Sequence, residues 1–392
     1  MKTGLAPADF ARAVFFALLP AAAAGGAMGL PVLLSLVGLA SLSPNLLRQV
    51  LEKRPLVLAL LGAWAAWAAL SSLWSPWDGP TAAKTIALIA LGLPFIAAAA
   101  ANEKSSALTL WAAVAALIVL SLLLGVEAAF DMPLNRAIQP DLAEGELNRN
   151  PSRGLIVLLA LTWPVVAWLL ANRRGWSATL AGAIMVAACM LSLQFDQLVT
   201  AIGLGASSLV FAIALFARRF AILATSFGLS LWMLIAPFLT PLLVSSPQLL
   251  ESVPMSWAHR IAIWRYTCAR ILEKPWFGHG IDSGRTTTDM LEVRGMVTRG
   301  IPVHPHSASL QVWHDLGLVG ALLSAALLVY GGWRLSRAFA NDRYAGAATA
   351  AVFAMFGLMA NVGWSLWQEW WMATLLLTAA LIGALGARAA RA

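Results

Sequence analysis

Charged residues are scarce in this chain. Asp, Glu, Lys and Arg make up 11% of its 392 residues, whereas a soluble globular domain carries roughly 25%. Hydrophobic residues make up 60%, and the mean hydropathy is +0.78. Most of such a chain is stable only in lipid, so the composition argues against a soluble fold.

Cysteine is also rare. Cys189 stands in an apolar run and Cys268 in a polar loop. Two isolated cysteines give neither a disulfide framework nor metal-ligand spacing. A cleavable signal peptide is not expected either, because the first apolar run continues through Pro20 and Gly25-Gly26 into a second one.

The net charge of +8 raises the question of nucleic-acid binding. Lys and Arg fall in short clusters between apolar runs, and they form no basic face that could follow a phosphate backbone. We therefore expect membrane lipids as partners and no nucleic acid, with the basic residues setting membrane topology.

Long apolar segments dominate the sequence. A transmembrane helix needs about 20 mostly apolar residues, and the chain is predicted to be all-α and polytopic, with about twelve such helices. The predicted spans are 10–24, 27–43, 56–73, 81–101, 106–126, 152–171, 176–194, 197–217, 220–240, 309–334, 345–363 and 367–387.

The positive-inside rule orients these spans. With a cytoplasmic N-terminus, 15 of the 26 basic residues fall in cytoplasmic segments, and the short outer segments hold only Lys84, Arg136, Arg149 and Arg153. Fourteen of the 18 acidic residues lie on the outer side or near that boundary. We expect a multi-pass protein of a Gram-negative inner membrane, with both termini cytoplasmic and the active face periplasmic.

One long periplasmic loop divides the chain into three parts. Spans one to nine occupy 1–240, the loop 241–308, and spans ten to twelve 309–392. The loop is predicted to be helical, with helices at about 257–272 and 283–296. It holds six arginines and four of the five histidines, a concentration that bilayer insertion does not require.

Two motifs flank this loop. The first is Ser256-Trp-Ala-His-Arg260-Ile-Ala-Ile-Trp264, continued by Pro275-Trp-Phe-Gly278-His-Gly280-Ile-Asp282; the second is His304-Pro-His306-Ser-Ala-Ser-Leu310-Gln311, continued by Gly317-Leu-Val-Gly320. Asn148-Arg149 through Arg153 and Leu73-Trp-Ser-Pro-Trp77-Asp add to the pattern. Together they resemble the O-antigen ligase and O-antigen polymerase superfamily, and the set is most similar to the ligase.

This resemblance implies a GT-C-like membrane glycosyltransferase with two lipid substrates. It would transfer O-antigen polysaccharide from undecaprenyl pyrophosphate to the lipid A–core oligosaccharide during lipopolysaccharide biosynthesis, inverting the anomeric centre. The family's reaction needs no metal or other cofactor. In agreement, the outer turns contain no Asp-x-Asp pair or dense carboxylate cluster suited to Mg²⁺.

Such a reaction needs a base for the acceptor hydroxyl and positive charge for the leaving pyrophosphate. His306 is the predicted base, because imidazole titrates near neutral pH and the residue matches the family motif; His304 is its rival. The guanidinium fork suits phosphate oxygens. The candidate pyrophosphate ligands are Arg153 and Arg260, then Arg265 and Arg149, and the supporting candidates are His304, Gln311, Asp196 and Arg285.

Several alternatives stay open. Arg260 and Arg265 are five residues apart, about 140° around a helix, so both cannot face one small ligand. Arg153 could instead bind a phospholipid headgroup, and Asp196 could be a solvated turn residue. Many family members have an Arg near the turn 194–197, where this chain has none; either Arg149 or Arg153 replaces it, or the position is not equivalent.

Other functions compete with the ligase. An O-antigen polymerase or a protein O-oligosaccharyltransferase would use the same machinery on a different acceptor. A membrane transporter is the alternative from another class. Few charges lie centrally in the spans and no inverted repeat is visible, which disfavours a transporter.

Overall fold

The fold is seen in a computed structural model, which describes residues 7–53, 55–143, 146–172, 174–195 and 197–389. Nearly all regular structure in these ranges is helical, so the predicted all-α class is confirmed. The helices are α1 Pro7–Ala24, α2 Leu30–Ala40, α3 Pro44–Lys53, α4 Pro55–Leu70, α5 Thr81–Ala99, α6 Glu103–Ala129, α7 Pro133–Ile138, α8 Arg149–Asn172, α9 Ser177–Gln194, α10 Leu198–Leu243, α11 Pro247–Ser252, α12 Met255–Glu273, α13 Ala308–Ala338, α14 Arg343–Val362 and α15 Glu369–Ala389.

Ten helices in the described ranges are long and apolar enough to cross a membrane. One of them, α10, has 46 residues, about 69 Å at 1.5 Å per residue, more than twice the ~30 Å bilayer core. Its backbone leaves helical geometry at Ala217, so it corresponds to the predicted spans 197–217 and 220–240. The predicted span 27–43 contains the 11-residue α2, which is shorter than the other apolar helices.

Helix α8 forms the centre of the bundle. Every side chain from Leu155 to Leu161 is at most 1% exposed, and α1, α6, α9, α14 and α15 surround the helix. A helix that is apolar on all sides belongs in such a position. Arg153 lies two residues before this run, so α8 carries it to the end of the bundle where the long loop leaves and re-enters, called here the loop end.

The loop docks on the bundle through α12. Cys268 and Ile271 of that helix pack with Met233 of α10 and Trp313 of α13. The predicted helix at 257–272 is therefore confirmed, with its apolar face turned to the other helices. It ends at Glu273, because the residue before Pro275 is pushed out of helical geometry.

The second predicted loop helix, at 283–296, is wrong. A 3₁₀ turn at Ser283–Thr286 is followed by two antiparallel strands, β1 Met290–Val293 and β2 Met296–Arg299. Arg294 and Gly295 connect the strands with φ of 51° and 78°. Two positive φ angles are what a two-residue hairpin turn requires, and they exclude a continuous helix.

The segment 275–282 fits into a break in α13. At Gly317 the helix backbone has φ 64° and ψ −162°. Backbone N–H groups of His279 and Gly280 donate to the carbonyls of His314 and Asp315 at 2.7 and 2.9 Å, and Leu318 donates to Pro275 at 2.8 Å. Helix hydrogen bonds lost at the break are thus replaced by bonds to the loop.

Candidate active site

His306 lies where the chain re-enters the bundle, immediately before the N-cap Ser307 of α13. Its Nδ1 is 2.8 Å from the carbonyl oxygen of Gly363. A carbonyl can only accept, so this contact assigns the proton to Nδ1 and leaves the lone pair of a neutral ring on Nε2. His306 therefore has the tautomer that a base acting through Nε2 needs.

His304 lies beside it, with the two ring centroids 4.2 Å apart. Its Nδ1 accepts from the backbone N–H of His306 at 3.1 Å, which assigns the proton of its neutral ring to Nε2. Its available nitrogen is therefore a donor. Of the two histidines, His306 offers the better-placed acceptor, and His304 holds the His306 backbone, whose φ is 54°.

Both imidazoles favour the neutral form. Burial lowers the pKa of His306, and the Arg260 charge lowers it further, although the hydrogen bond to Gly363 acts in the opposite direction. Burial lowers the pKa of His304 well below its usual range, with the charges of His306, Arg285 and Arg260 adding to the effect. A neutral imidazole at physiological pH can accept a proton.

Arg260 reaches these histidines from α12. Its guanidinium carbon lies 5.3 Å from the centroid of Trp257, a cation–π contact. Burial lowers its pKa, but a guanidinium stays protonated. Among the described residues it has no hydrogen-bond or ion-pair partner, so its donors are available to an anion.

Arg285 approaches from the 3₁₀ turn after Asp282. Its Nε donates to the Asp282 carboxylate at 2.7 Å, and its guanidinium carbon lies 5.3 Å from the Trp77 ring centroid. Asp282 is 2% exposed and also accepts from Thr81 at 2.8 Å. Part of the Arg285 charge is thus neutralised, and the residue lies near His304 without being free.

Arg153 reaches the same region from α8. Its guanidinium carbon lies 5.7 Å from the Trp370 ring centroid, and Trp370 packs edge-on against Trp364 at 5.1 Å. Its Nε is buried without a hydrogen bond in the described chain. The turn 363–368 between α14 and α15 contains Gly363, which binds His306, and Trp364, which packs on the Trp370 ring that Arg153 contacts.

Three predicted residues have other contacts. Arg265 donates to the carbonyls of Val244 and Ser246 at 2.8 and 3.2 Å, which fastens α12 to the end of α10. Arg149 pairs with Glu146 at 2.8 Å and is largely exposed. Gln311 is buried and ties α13 to the turn 363–368 through Ser365 and Leu366. Asp196 lies outside the described residues.

Sequence reasoning missed Asn361. Its Oδ1 accepts from the side chains of Trp232 and Ser307 and from the backbone of Ser309, at 3.2–3.3 Å. It thereby holds the start of α13 beside His306. An amide near the end of an apolar span was the only signal. A Lys84–Glu369 ion pair of 2.9 Å at the same rim was also missed.

Residues 146–325 match a family model described as O-antigen ligase. A Rickettsia bellii protein named "putative polysaccharide ligase" is 28% identical over 229 residues, which is 57% of this chain and 55% of that protein. Its counterpart in Rickettsia typhi is 26% identical over 230 residues, covering 56% and 55%.

The chain thus matches only about half the length of these curated relatives. The matched segment nevertheless contains Arg153, Arg260, Arg285, His304 and His306. The family resemblance predicted from the motifs is confirmed by the match of residues 146–325 to the O-antigen ligase family model.

Proposed function

We propose that this chain is a membrane glycosyltransferase that moves O-antigen polysaccharide from undecaprenyl pyrophosphate to the lipid A–core oligosaccharide. The observation that carries the proposal is the His306 tautomer: Nδ1 is bound to Gly363 and Nε2 is left as an acceptor, next to the unpaired Arg260. A base beside an available cation suits attack by a hydroxyl with loss of a pyrophosphate.

The reaction needs one proton acceptor and one anion site. The acceptor hydroxyl oxygen forms a bond to the anomeric carbon of the donor glycan while its proton passes to Nε2 of His306. The bond from that carbon to the pyrophosphate oxygen breaks, and its electron pair leaves with undecaprenyl pyrophosphate. Direct displacement from the opposite face inverts the anomeric centre.

Arginines stabilise the charge that develops on the leaving group. Arg260 is the best candidate, because its guanidinium is half-buried and unpaired among the described residues. Arg153 supports it from α8, and Arg285 extends the positive rim although Asp282 offsets part of its charge. Arg265 belongs to the scaffold in this proposal, since its guanidinium donates to the carbonyls of Val244 and Ser246, which follow α10.

The proposed location is a Gram-negative inner membrane, with the loop end in the periplasm and both termini in the cytoplasm. Three predicted outer turns meet the loop or each other at this end, through Trp77–Arg285, Lys84–Glu369 and Arg153–Trp370. Both lipid substrates would then reach His306 from the outer leaflet.

The test is transfer in proteoliposomes that contain the purified full chain and both lipids. His306→Ala should lower the transfer rate about 10²–10⁴-fold, which is the usual contribution of a general base. His259→Ala, another histidine of α12 and the loop, is the matched control and should transfer normally. A native rate in His306→Ala would contradict the proposal.

The acceptor is tested in the same system. Replacing lipid A–core with a second lipid-linked glycan should stop product formation by a ligase. Growth of the lipid-linked chain instead would identify an O-antigen polymerase, and labelling of added protein would identify an O-oligosaccharyltransferase.

A further inference from the structure

A polar cavity of about 180 Å³ lies in the loop, apart from His306. Its lining includes His279, His314 and Ser283, which are 4–7% exposed. Tyr266 and Asp289 line its more open part. Space of this size holds roughly six water molecules at about 30 Å³ each, which is comparable with one sugar ring. Buried polar side chains inside a cavity, with accessible ones at its mouth, are typical of a preformed binding pocket.

The two histidines of this cavity present acceptors. Nε2 of His279 is 2.9 Å from the Arg270 carbonyl and Nδ1 of His314 is 2.8 Å from the Asp315 carboxylate, so both of these nitrogens carry protons. The rings stack at 4.8 Å with planes 20° apart, and burial lowers the pKa of His279. Neutral rings leave Nδ1 of His279 and Nε2 of His314 as lone-pair acceptors.

The rest of the lining is hydroxyl-rich and nearly neutral in charge. Ser283 and the consecutive Thr286, Thr287 and Thr288 contribute hydroxyls. The Arg270 cation is matched by Glu273 at 2.7 Å, and the Asp289 carboxylate, which accepts from Tyr266, adds a negative group. An anion would meet imidazole lone pairs and a carboxylate, so the lining disfavours phosphate.

A ligand rich in hydroxyl groups fits this set. Sugar hydroxyls donate to the imidazole nitrogens and to Asp289, accept from the threonines, and present a C–H face that can pack on Tyr266. Among the described residues no group of three or more His, Cys, Asp or Glu could hold a metal ion, so the paired histidines do not indicate a metal centre.

We infer that this cavity is a glycan-binding subsite that holds one sugar residue of a substrate while the reacting end lies at His306. The 3₁₀ turn Ser283–Thr286 connects the two places: Ser283 and Thr286 line the cavity, whereas Arg285 lies close enough to His304 to lower its pKa. The glycan identity rests on the proposed function.

Binding is tested without turnover, by saturation-transfer NMR on the full chain in nanodiscs. The probes are the lipid-free core oligosaccharide and the lipid-free O-antigen of the source bacterium, both released by mild acid. At least one should bind, and the probe that binds identifies the acceptor or the donor as the source. Inorganic phosphate should not compete.

Two variants locate the bound sugar. Thr288→Trp fills the cavity from an exposed position and should weaken binding at least tenfold. Val297→Trp, on the exposed strand β2, is the matched control and should bind normally. Asp289→Asn keeps the shape of the side chain but removes its charge, and should weaken saccharide binding about tenfold. This second variant tests the subsite if Thr288→Trp does not fold.

The outcomes separate this inference from the proposed function. His306→Ala should fail to transfer and still bind the saccharide. Failure of both saccharides to bind the native chain, or binding that neither Thr288→Trp nor Asp289→Asn weakens, would overturn the subsite even if transfer depends on His306. Native transfer by His306→Ala would overturn the proposed base and leave the subsite standing.

Discussion

Gly278→Ala should release the loop from the bundle. Gly278 has φ 71°, and a Cβ there would lie 2.5 Å from the Asp315 carbonyl carbon and 2.7 Å from the Gly317 nitrogen. All of these are backbone atoms, so no side chain can move aside. The segment 275–282 would have to leave the break in α13.

The magnitude follows from what is lost. Left-handed geometry costs an alanine roughly 1–2 kcal/mol. The three backbone hydrogen bonds between the loop and α13 contribute roughly 0.5–1.5 kcal/mol each. The docked state should therefore lose about 2.5–6.5 kcal/mol, enough to open the loop while the transmembrane helices stay folded.

Cys268 reports this opening, because it is 3% exposed between α12 and the bundle. In a Cys189→Ser background, its rate of labelling by a thiol reagent should rise about 10²–10⁴-fold in Gly278→Ala. Gly295→Ala is the control: Gly295 has φ 78°, but a Cβ added to it would meet open space, so the rise should not exceed about thirtyfold. Equal labelling rates in the two variants would refute the reasoning.

Three further outcomes are expected. Arg260→Gln should slow transfer and move its acidic limb to higher pH, because the Arg260 charge lowers the pKa of His306; an unchanged pH profile would separate the two residues. Arg265→Ala should raise Cys268 labelling by removing bonds to Val244 and Ser246, with little change in the KM for either lipid, whereas a large KM increase would return it to the pyrophosphate site. Transfer should continue in EDTA, and a loss that Mg²⁺ restores would contradict the metal-free mechanism.

Much of the bundle could be predicted from apolar length alone. The spans 197–217 and 220–240 were separable because Arg218 and Arg219 interrupt the apolar run, and the bend at Ala217 falls at the same point. The first two segments were harder. The turn at Gly26 was visible, but α2 ends after 11 residues, and apolar composition continues beyond it.

The loop shows where local patterns fail. The hairpin at 290–299 depends on a positive φ at Arg294. An arginine gives no sign of this geometry in the sequence, so a helix was predicted instead. Helical geometry did predict that Arg260 and Arg265 diverge. Arg265 binds the carbonyls of Val244 and Ser246, just after α10, while Arg260 lies near the histidines.

The candidate site depends on contacts across long stretches of sequence. The His306 motif was visible, but its partner Gly363 is 57 residues away and contributes only a backbone carbonyl. Asn361 and the tryptophans around Arg153 are equally distant, and their residue types are common at membrane boundaries. Sequence could therefore nominate the base and the cations, but not the turn 363–368 that holds the base.

The most direct test is the pH dependence of single-turnover transfer in the native chain and in His306→Ala. The neutral ring is the reactive form, and its pKa is lowered from the ordinary value of about 6.5, so the native rate should stay level at neutral pH and fall only below that value. In His306→Ala the rate should be about 10²–10⁴-fold lower, without this acidic limb. A native transfer rate in His306→Ala, or the same fall in rate at acidic pH as in the native chain, would contradict the assignment of His306 as the base.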